Sequence, residues 1–347
     1  MSAITNALTG VIQWIYSLIH NHGWSIVIFT LLIRAVLMPL DISSRKGMRK
    51  MSKIQPQLNA LQKKYANDKA KLQQKQSELM RKERYNPLSG CLPLLIQMPI
   101  LFAMFGAMRV IANEQVVHQV FTFLKGGVPS YEGWLWVKNI WMADSLFASV
   151  APDLNSLQAI GHDVWQKIWA VMSQADQQLV IQSLSQHVQD FAGALDFSSA
   201  DAFKALLPQI QAALAQMPAY AAQTAPMPGF ENINLIIFSV KVFAQYNGLL
   251  ILPVLAGASQ LLMTKVNPQA TGAQPAATGQ PAGMGNFMKY FFPLFSVYIT
   301  LTSNAGFALY WVTSNLIATA MSYFINLYYD KQDMLPAANE LQEGTVK

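Results

Sequence analysis

Arg34 stands inside the most apolar stretch of the chain, residues 24–40, WSIVIFTLLIRAVLMPL. An arginine deep in a bilayer helix costs roughly 2.5–3.5 kcal/mol on insertion scales, so it is aimed at a partner, a water-filled cavity or the nearest interface. Other hydrogen-bonding side chains recur at a similar depth in later apolar runs. At 1.5 Å per residue, Arg34 and Gln97 each lie roughly 9 Å from the ends of their runs, and Gln260 lies roughly 7–8 Å in. Thr30 sits one turn from Arg34 on the same helix face, and Trp311 and Asn315 of the last run can enter at or above that level. No Asp or Glu falls within any apolar run. These residue types transfer no group and hold no metal. What they can do together is offer a wet, positively charged recess to something acidic or polar. The competing reading is that Arg34 snorkels to the inner interface while the amides join helices.

The elements that would position them are membrane helices. Hydrophobic residues make up 52% of the 347, charged residues 12%, and mean hydropathy is +0.24, too apolar for an ordinary soluble domain. Five spans are expected, at 24–40, 90–112, 248–265, 287–302 and 304–329, the third and fourth being short for a bilayer; the region 235–247 is the main ambiguity. Residues 41–89 carry thirteen Lys or Arg against four acids, and 113–247 carry five Lys against ten acids. Positive loops stay inside, which puts 41–89 in the cytoplasm and 113–247 outside. Five spans then leave the N-terminus outside and the C-terminus inside.

Residues 1–23 carry no Lys, Arg, Asp or Glu. Leu8, Ile12, Ile15 and Ile19 line one side of an expected amphipathic helix lying at the outer interface, and no cleavable signal is expected. The basic segment 41–89 reads as a helical hairpin broken near Asn67-Asp68, thinly apolar at Met48, Met51, Ile54 and Leu58 and suited to anionic lipid headgroups. Residues of about 145–234 read as a small helical insertion, with helical periodicity in DVWQKIWAVM and AFKALLPQIQAAL. The Pro/Gly/Ala/Gln-rich 266–286 reads as a disordered linker, and 330–347 as a cytoplasmic tail with two Lys and four acids.

Several functions are disfavoured. The five histidines (His20, His22, His118, His162, His187) lie outside the spans without metal-ligand spacing or a nucleophile motif, so neither an enzyme nor a cofactor is expected. The lone Cys91 permits no internal disulfide. The basic residues lack interleaved stacking aromatics, which argues against nucleic acid as the primary ligand. A small-anion transporter or channel could use an intramembrane arginine, but no inverted repeat or matched pair of broken helices is found.

In order along the chain, WSIVIFTLLIRAVLMPL, MRKMSKIQPQLNALQKKYANDKAKLQQKQSELM and YNPLSGCLPLLIQMPILFAMF resemble the YidC/Oxa/Alb family of membrane protein insertases. LWVKNIWMADS, ILPVLAGASQLLMTKV and FFPLFSVYITLTSNAGFALYWVTSN extend the match, which covers about 24–144 and 235–329. The resemblance implies an all-α core of five transmembrane helices, a hydrophilic groove open to cytoplasm and lipid, and a basic cytoplasmic hairpin in a bacterial plasma membrane. It places Arg34 on the family's groove arginine, Thr30 on its neighbouring hydroxyl, Gln97 in the QMP motif and Trp311 on a groove-facing aromatic position; Gln260 and Asn315 are assigned to the lining. It also implies nascent membrane proteins as substrates, with the Sec translocon and the ribosome as candidate partners. The chain departs from the family in its 145–234 insertion, in lacking a basic tail and in showing no large periplasmic domain.

Overall fold

The computed structural model describes residues 2–83, 88–189, 191–234, 239–266 and 284–343; within helices, the side chains at 2, 48, 52, 88–97, 284–286, 288, 330 and 332–343 are outside the description. The expected linker therefore lies almost wholly outside the described residues. Helices dominate: α1 Ser2–Ile19, α2 His22–Lys64, α3 Lys69–Lys82, α4 Leu88–Leu124, α5 His162–Val171, α6 Gln174–His187, α7 Ala200–Gln216, α8 Pro218–Thr224, α9 Ile251–Val266, α10 Met284–Thr302 and α11 Ala305–Glu343, with a 3-10 turn at Leu154–Ala159. Two-residue strands β1 (Ile233–Asn234) and β2 (Ser239–Val240) pair antiparallel. In the ambiguous region, residues 239–250 carry no helix.

The edges of the apolar runs are not helix ends. No helix-terminating signal follows Leu40, so α2 runs through Pro39 and Pro56 for 43 residues, about 64 Å of helix. Likewise α4 continues twelve residues beyond 112 and stops at a glycine pair. Gly126 adopts a φ of +82°, Gly126 N–H donates to Phe123 O and Gly127 N–H donates to Thr122 O, satisfying carbonyls that a helix end leaves open. Two stretches, His22–Met51 and Met98–Leu124, are each long and apolar enough to cross a bilayer; Ala3–Ile19 and Ile251–Val266 are shorter apolar helices.

Two compact units emerge. One comprises Met1–Ile26, Ala103–Pro253 and Ile299–Leu309; the other Val27–Phe102, Val254–Tyr298 and Tyr310–Lys347. The core of the first is built from the last turns of α4 and the insertion. Val117, Val120, Phe121 and Leu124 pack with Trp165, Ile168, Leu184, Ile210 and Leu214, all buried. The Phe121 and Trp165 rings meet edge to face at 5.6 Å, and Phe203 tilts against Trp165 at 5.5 Å, separations at which aromatic pairs gain beyond their buried area. Ser173 and Ser199 cap α6 and α7 by accepting from Asp176 and Ala202 N–H, the side-chain capping that such helix starts need. The Tyr220 hydroxyl donates to Pro152 O at 2.8 Å, and burial pushes that phenol's pKa upward.

A polar knot fixes the segment entering α9. Asp144, fully buried, accepts from Trp136 Nε1 and from the Leu249 and Leu252 N–H groups. The Leu252 N–H is a donor that the start of α9 would otherwise leave open. A Cβ at Gly248 would come within 2.0 Å of the Asp144 carboxylate, so only glycine lets the backbone approach this closely. On α1, Ile12 and Ile15 are buried, whereas Ile4, Val11, Trp14 and Leu18 form an exposed apolar stripe.

In the second unit α3 begins with Asp68 capping Lys71 N–H at 3.0 Å, which is the hairpin break read near Asn67-Asp68. Ile54 and Leu58 of α2 are buried against Met51, Leu79 and Met80, a small core for two basic helices.

Candidate functional site

Arg34 is only 8% exposed. It lies within the second unit, on α2, one turn below Thr30, and both line a narrow recess with Ile33, Leu37, Ile100, Tyr310 and Ser314. The space at the recess is about 180 Å³ counting open solvent at its mouth and leaves no room for even a water molecule, so nothing enters unless side chains move. A buried guanidinium is costly without hydrogen-bonded and charged partners, and here it has both. Arg34 Nε donates to Ser314 Oγ at 3.1 Å and its Nη2 to the same oxygen at 2.5 Å. Arg34 Nη1 lies 3.9 Å from Asp41 Oδ2, two turns further along α2.

The charge ladder continues down the same helix. Asp41 interacts electrostatically with both Arg34 and Arg45, and Arg45 Nη2 donates to Ser322 Oγ on α11. Ser314 and Ser322 are eight residues apart on α11, so two serines at helical spacing receive two arginines of α2. The local sequence makes this possible: an uninterrupted α2 keeps Arg34, Asp41 and Arg45 near one face at i, i+7 and i+11.

The amides form a second cluster, joining α9 to α11. Asn315 Nδ2 donates to Gln260 Oε1 at 3.1 Å and to Ser259 Oγ at 3.3 Å, and Gln260 and Asn315 are each 8% exposed. Thus Gln260 and Asn315 are brought together with each other, while the residues around Arg34 are Thr30 and Ser314. Trp311 is half-buried on α11 and does not line the Arg34 recess. The Gln97 side chain lies outside the described residues; Ile100, one turn on, faces the recess.

Sequence reasoning missed Ser314, Asp41 and Arg45. Asp41 lies seven residues from Arg34 just beyond the apolar run, where the drop in hydropathy hides that the helix continues. Nothing local marks Ser314, which meets Arg34 across 280 residues of sequence. Among the described residues no group of three or more His, Cys, Asp or Glu could hold a metal ion. The arrangement offers a fixed positive charge with a hydroxyl, a carboxylate and a second arginine close by: a place to hold an anionic or hydrogen-bonding group.

Comparison with known proteins bears on what such a site serves. The family described as 60Kd inner membrane protein matches residues 14–212 and 203–332. A Fusobacterium nucleatum protein named Membrane protein insertase YidC is 42% identical over 135 residues, covering 39% of this chain and 57% of that protein. Proteins of the same name from Xanthomonas oryzae pv. oryzae and Chlorobaculum parvum are 47% identical over 105 residues and 39% identical over 136, covering 30% and 39% of this chain. The chain spans 18% and 21% of the lengths of those two relatives. With most of its length matched, the chain belongs to the 60Kd inner membrane protein family.

Proposed function

We propose that this protein is a membrane protein insertase and folding chaperone of the bacterial plasma membrane, acting through the Arg34 recess, alone or with the Sec translocon. The observation that carries the reading is a buried arginine held by Ser314 and Asp41 in a narrow polar recess, within a chain similar to proteins named as insertases. The relatives' names do not favour anion transport.

The mechanism needs no bond-making step. A short hydrophilic segment of a nascent membrane protein enters from the cytoplasm, so its polar part crosses only part of the hydrocarbon. An acidic group within 4 Å of Arg34 gains roughly 4 kcal/mol at an effective dielectric of about 20, before desolvation is subtracted. Asp41 already uses part of that field, so an incoming carboxylate shares or displaces an existing partner and is not trapped there. The inside-negative potential then assists outward movement by about 2.3 kcal/mol per charge per 100 mV. Meanwhile the client's apolar helix passes into lipid. Short acidic or weakly charged tails are therefore favoured over strongly basic ones.

Topology follows the charge pattern: five spans, an outside N-terminus and an inside C-terminus. The basic hairpin lies near anionic lipids and is the candidate contact for a ribosome. Liposomes containing only the purified protein test the reading. A single-span client with a short acidic tail should acquire protease protection of that tail, and a client with a basic tail should not. Equal protection of both tails contradicts the electrostatic mechanism. No protection, together with measurable small-anion flux, contradicts the insertase reading itself.

A further inference from the structure

A second cleft lies wholly within the first unit and shares no residue with the Arg34 recess. It encloses about 440 Å³ and is walled by α4, the 141–143 loop, the turn joining α10 to α11, and residues 153–160 of the insertion. That volume lies in the range of small-ligand sites. Arg109 of α4 and Asp153 of the insertion both line it. Arg109 donates to Ala159 O at 3.2 Å. One Asp153 oxygen accepts from Asn155 N–H at 2.8 Å. Both residues are exposed at this open cleft, and among the described residues neither side chain is in an ion pair, so the cleft presents a separated cation and anion. Asn113 and Asn304 add amides. Phe105 and Phe307, also in the lining, pack edge to face at 5.1 Å, and Phe105 remains 37% exposed.

We propose that this cavity binds the headgroup of a zwitterionic phospholipid carrying a primary ammonium, of the phosphoethanolamine type. Arg109 takes the phosphate, because a guanidinium fork matches phosphate oxygens. Asp153 takes the ammonium, whose N–H groups can donate where a quaternary ammonium has none. Phe105 sits on the apolar stretch Met98–Leu124 and gives the acyl chains a surface to follow out of the cavity. A purely anionic headgroup would leave Asp153 facing negative charge. The insertion supplies Asp153 and the 156–160 wall, so lipid recognition is the purpose the site gives to that segment. The inference does not rest on the insertase reading.

Native mass spectrometry of the delipidated full chain in detergent tests it, with phosphatidylethanolamine, phosphatidylcholine and phosphatidylglycerol added singly. Phosphatidylethanolamine should bind most tightly. Arg109→Gln should weaken it about tenfold, the scale of one charge-assisted hydrogen bond, and Arg109→Lys should restore part of the loss. Asp153→Asn keeps an N-cap oxygen for Asn155 and should erase the preference over phosphatidylglycerol without abolishing phospholipid binding. Water-soluble glycerophosphoethanolamine should compete only at far higher concentration, because it lacks the chains. Equal binding of the three lipids to the wild type overturns the proposal. So does unchanged binding in both Arg109→Gln and Asp153→Asn, or competition by the soluble headgroup at the lipid's own concentration.

Discussion

The insertion and the Arg34 region bury opposite kinds of residue. Around Trp165 the interior is aromatic and aliphatic, with Phe121, Phe197 and Phe203 in contact, and two of its helices, α6 and α7, start at serine caps. In the second unit the buried residues include Thr30, Arg34, Ser314, Asn315, Gln260, Ser259 and Ser322, while Leu31, Leu32, Val36, Val254, Leu261 and Leu262 are exposed. Water rewards the first pattern. In hydrocarbon, an exposed leucine costs nothing and a polar side chain must find another polar side chain. One chain therefore carries two patterns of burial, an apolar interior in the first unit and a partly polar one in the second.

The comparison can be broken most forcefully in the aromatic core. Trp165→Ala should destabilise the first unit by about 3–5 kcal/mol, through lost contacts and a cavity, read as a lowered thermal midpoint of the fluorescence transition in detergent. A change below about 1 kcal/mol would mean this core does not hold the insertion together.

Smaller effects are expected from the polar side. Ser314→Ala removes the acceptor of two Arg34 N–H groups and should cost about 1.5–3 kcal/mol, the range for hydrogen bonds to charged groups, measured by thermal denaturation in micelles. Gln260→Met replaces the partner of Asn315 with an apolar side chain of similar length. It should cost only about 0.6 kcal/mol, the average for polar contacts between membrane helices. A larger loss for Gln260→Met than for Ser314→Ala would reverse the assignment of Arg34 as the energetic centre of the polar interior.

The smallest effect concerns the surface of the insertion. Lys125 Nζ lies 3.0 Å from Asp176 Oδ1, and the hydrogen bond from Lys125, then that from Ser173, holds the Asp176 carboxyl below its ordinary pKa. A carboxyl depressed in the folded state stabilises it above the unfolded value of about 3.9. That contribution disappears as pH falls through the lower folded value. The thermal midpoint of Lys125→Ala should therefore lie slightly below wild type at pH 7, and the gap should close as pH falls below about 4. A gap that widened in acid would contradict the sign.

Much of the polar interior was legible in the sequence because period and depth are local properties. Thr30 and Arg34 share a face at i, i+4. Depth in the sequence puts Gln260 level with Arg34 and Asn315 at or above it, in one recess, whereas the two amides meet each other across α9 and α11 and do not line the Arg34 recess. The hairpin break was legible from Asn67-Asp68, and the α5 and α7 helices from their periodicity. What escaped is non-local. Ser314 is one serine among many until α11 lies beside α2, and Asp41 falls just past the apolar run, where hydropathy changes but the helix does not end. Hydropathy reports the solvent around a segment; the hydrogen-bond ladder of α2 continues wherever helix-forming residues continue, through Lys64. Nothing in the sequence marks Arg109, a single cation near the end of an apolar run.

The central claim is that the Arg34 charge attracts the translocated segment. Its most direct test is insertion of a single-span client with a short acidic tail into liposomes holding only this protein, comparing wild type, Arg34→Lys and Arg34→Glu. Protection of the tail from protease should persist largely in Arg34→Lys and fall at least about tenfold in Arg34→Glu, the factor that corresponds to 1.4 kcal/mol. Equal protection in the lysine and glutamate variants, with both shown to be folded, would contradict the claim.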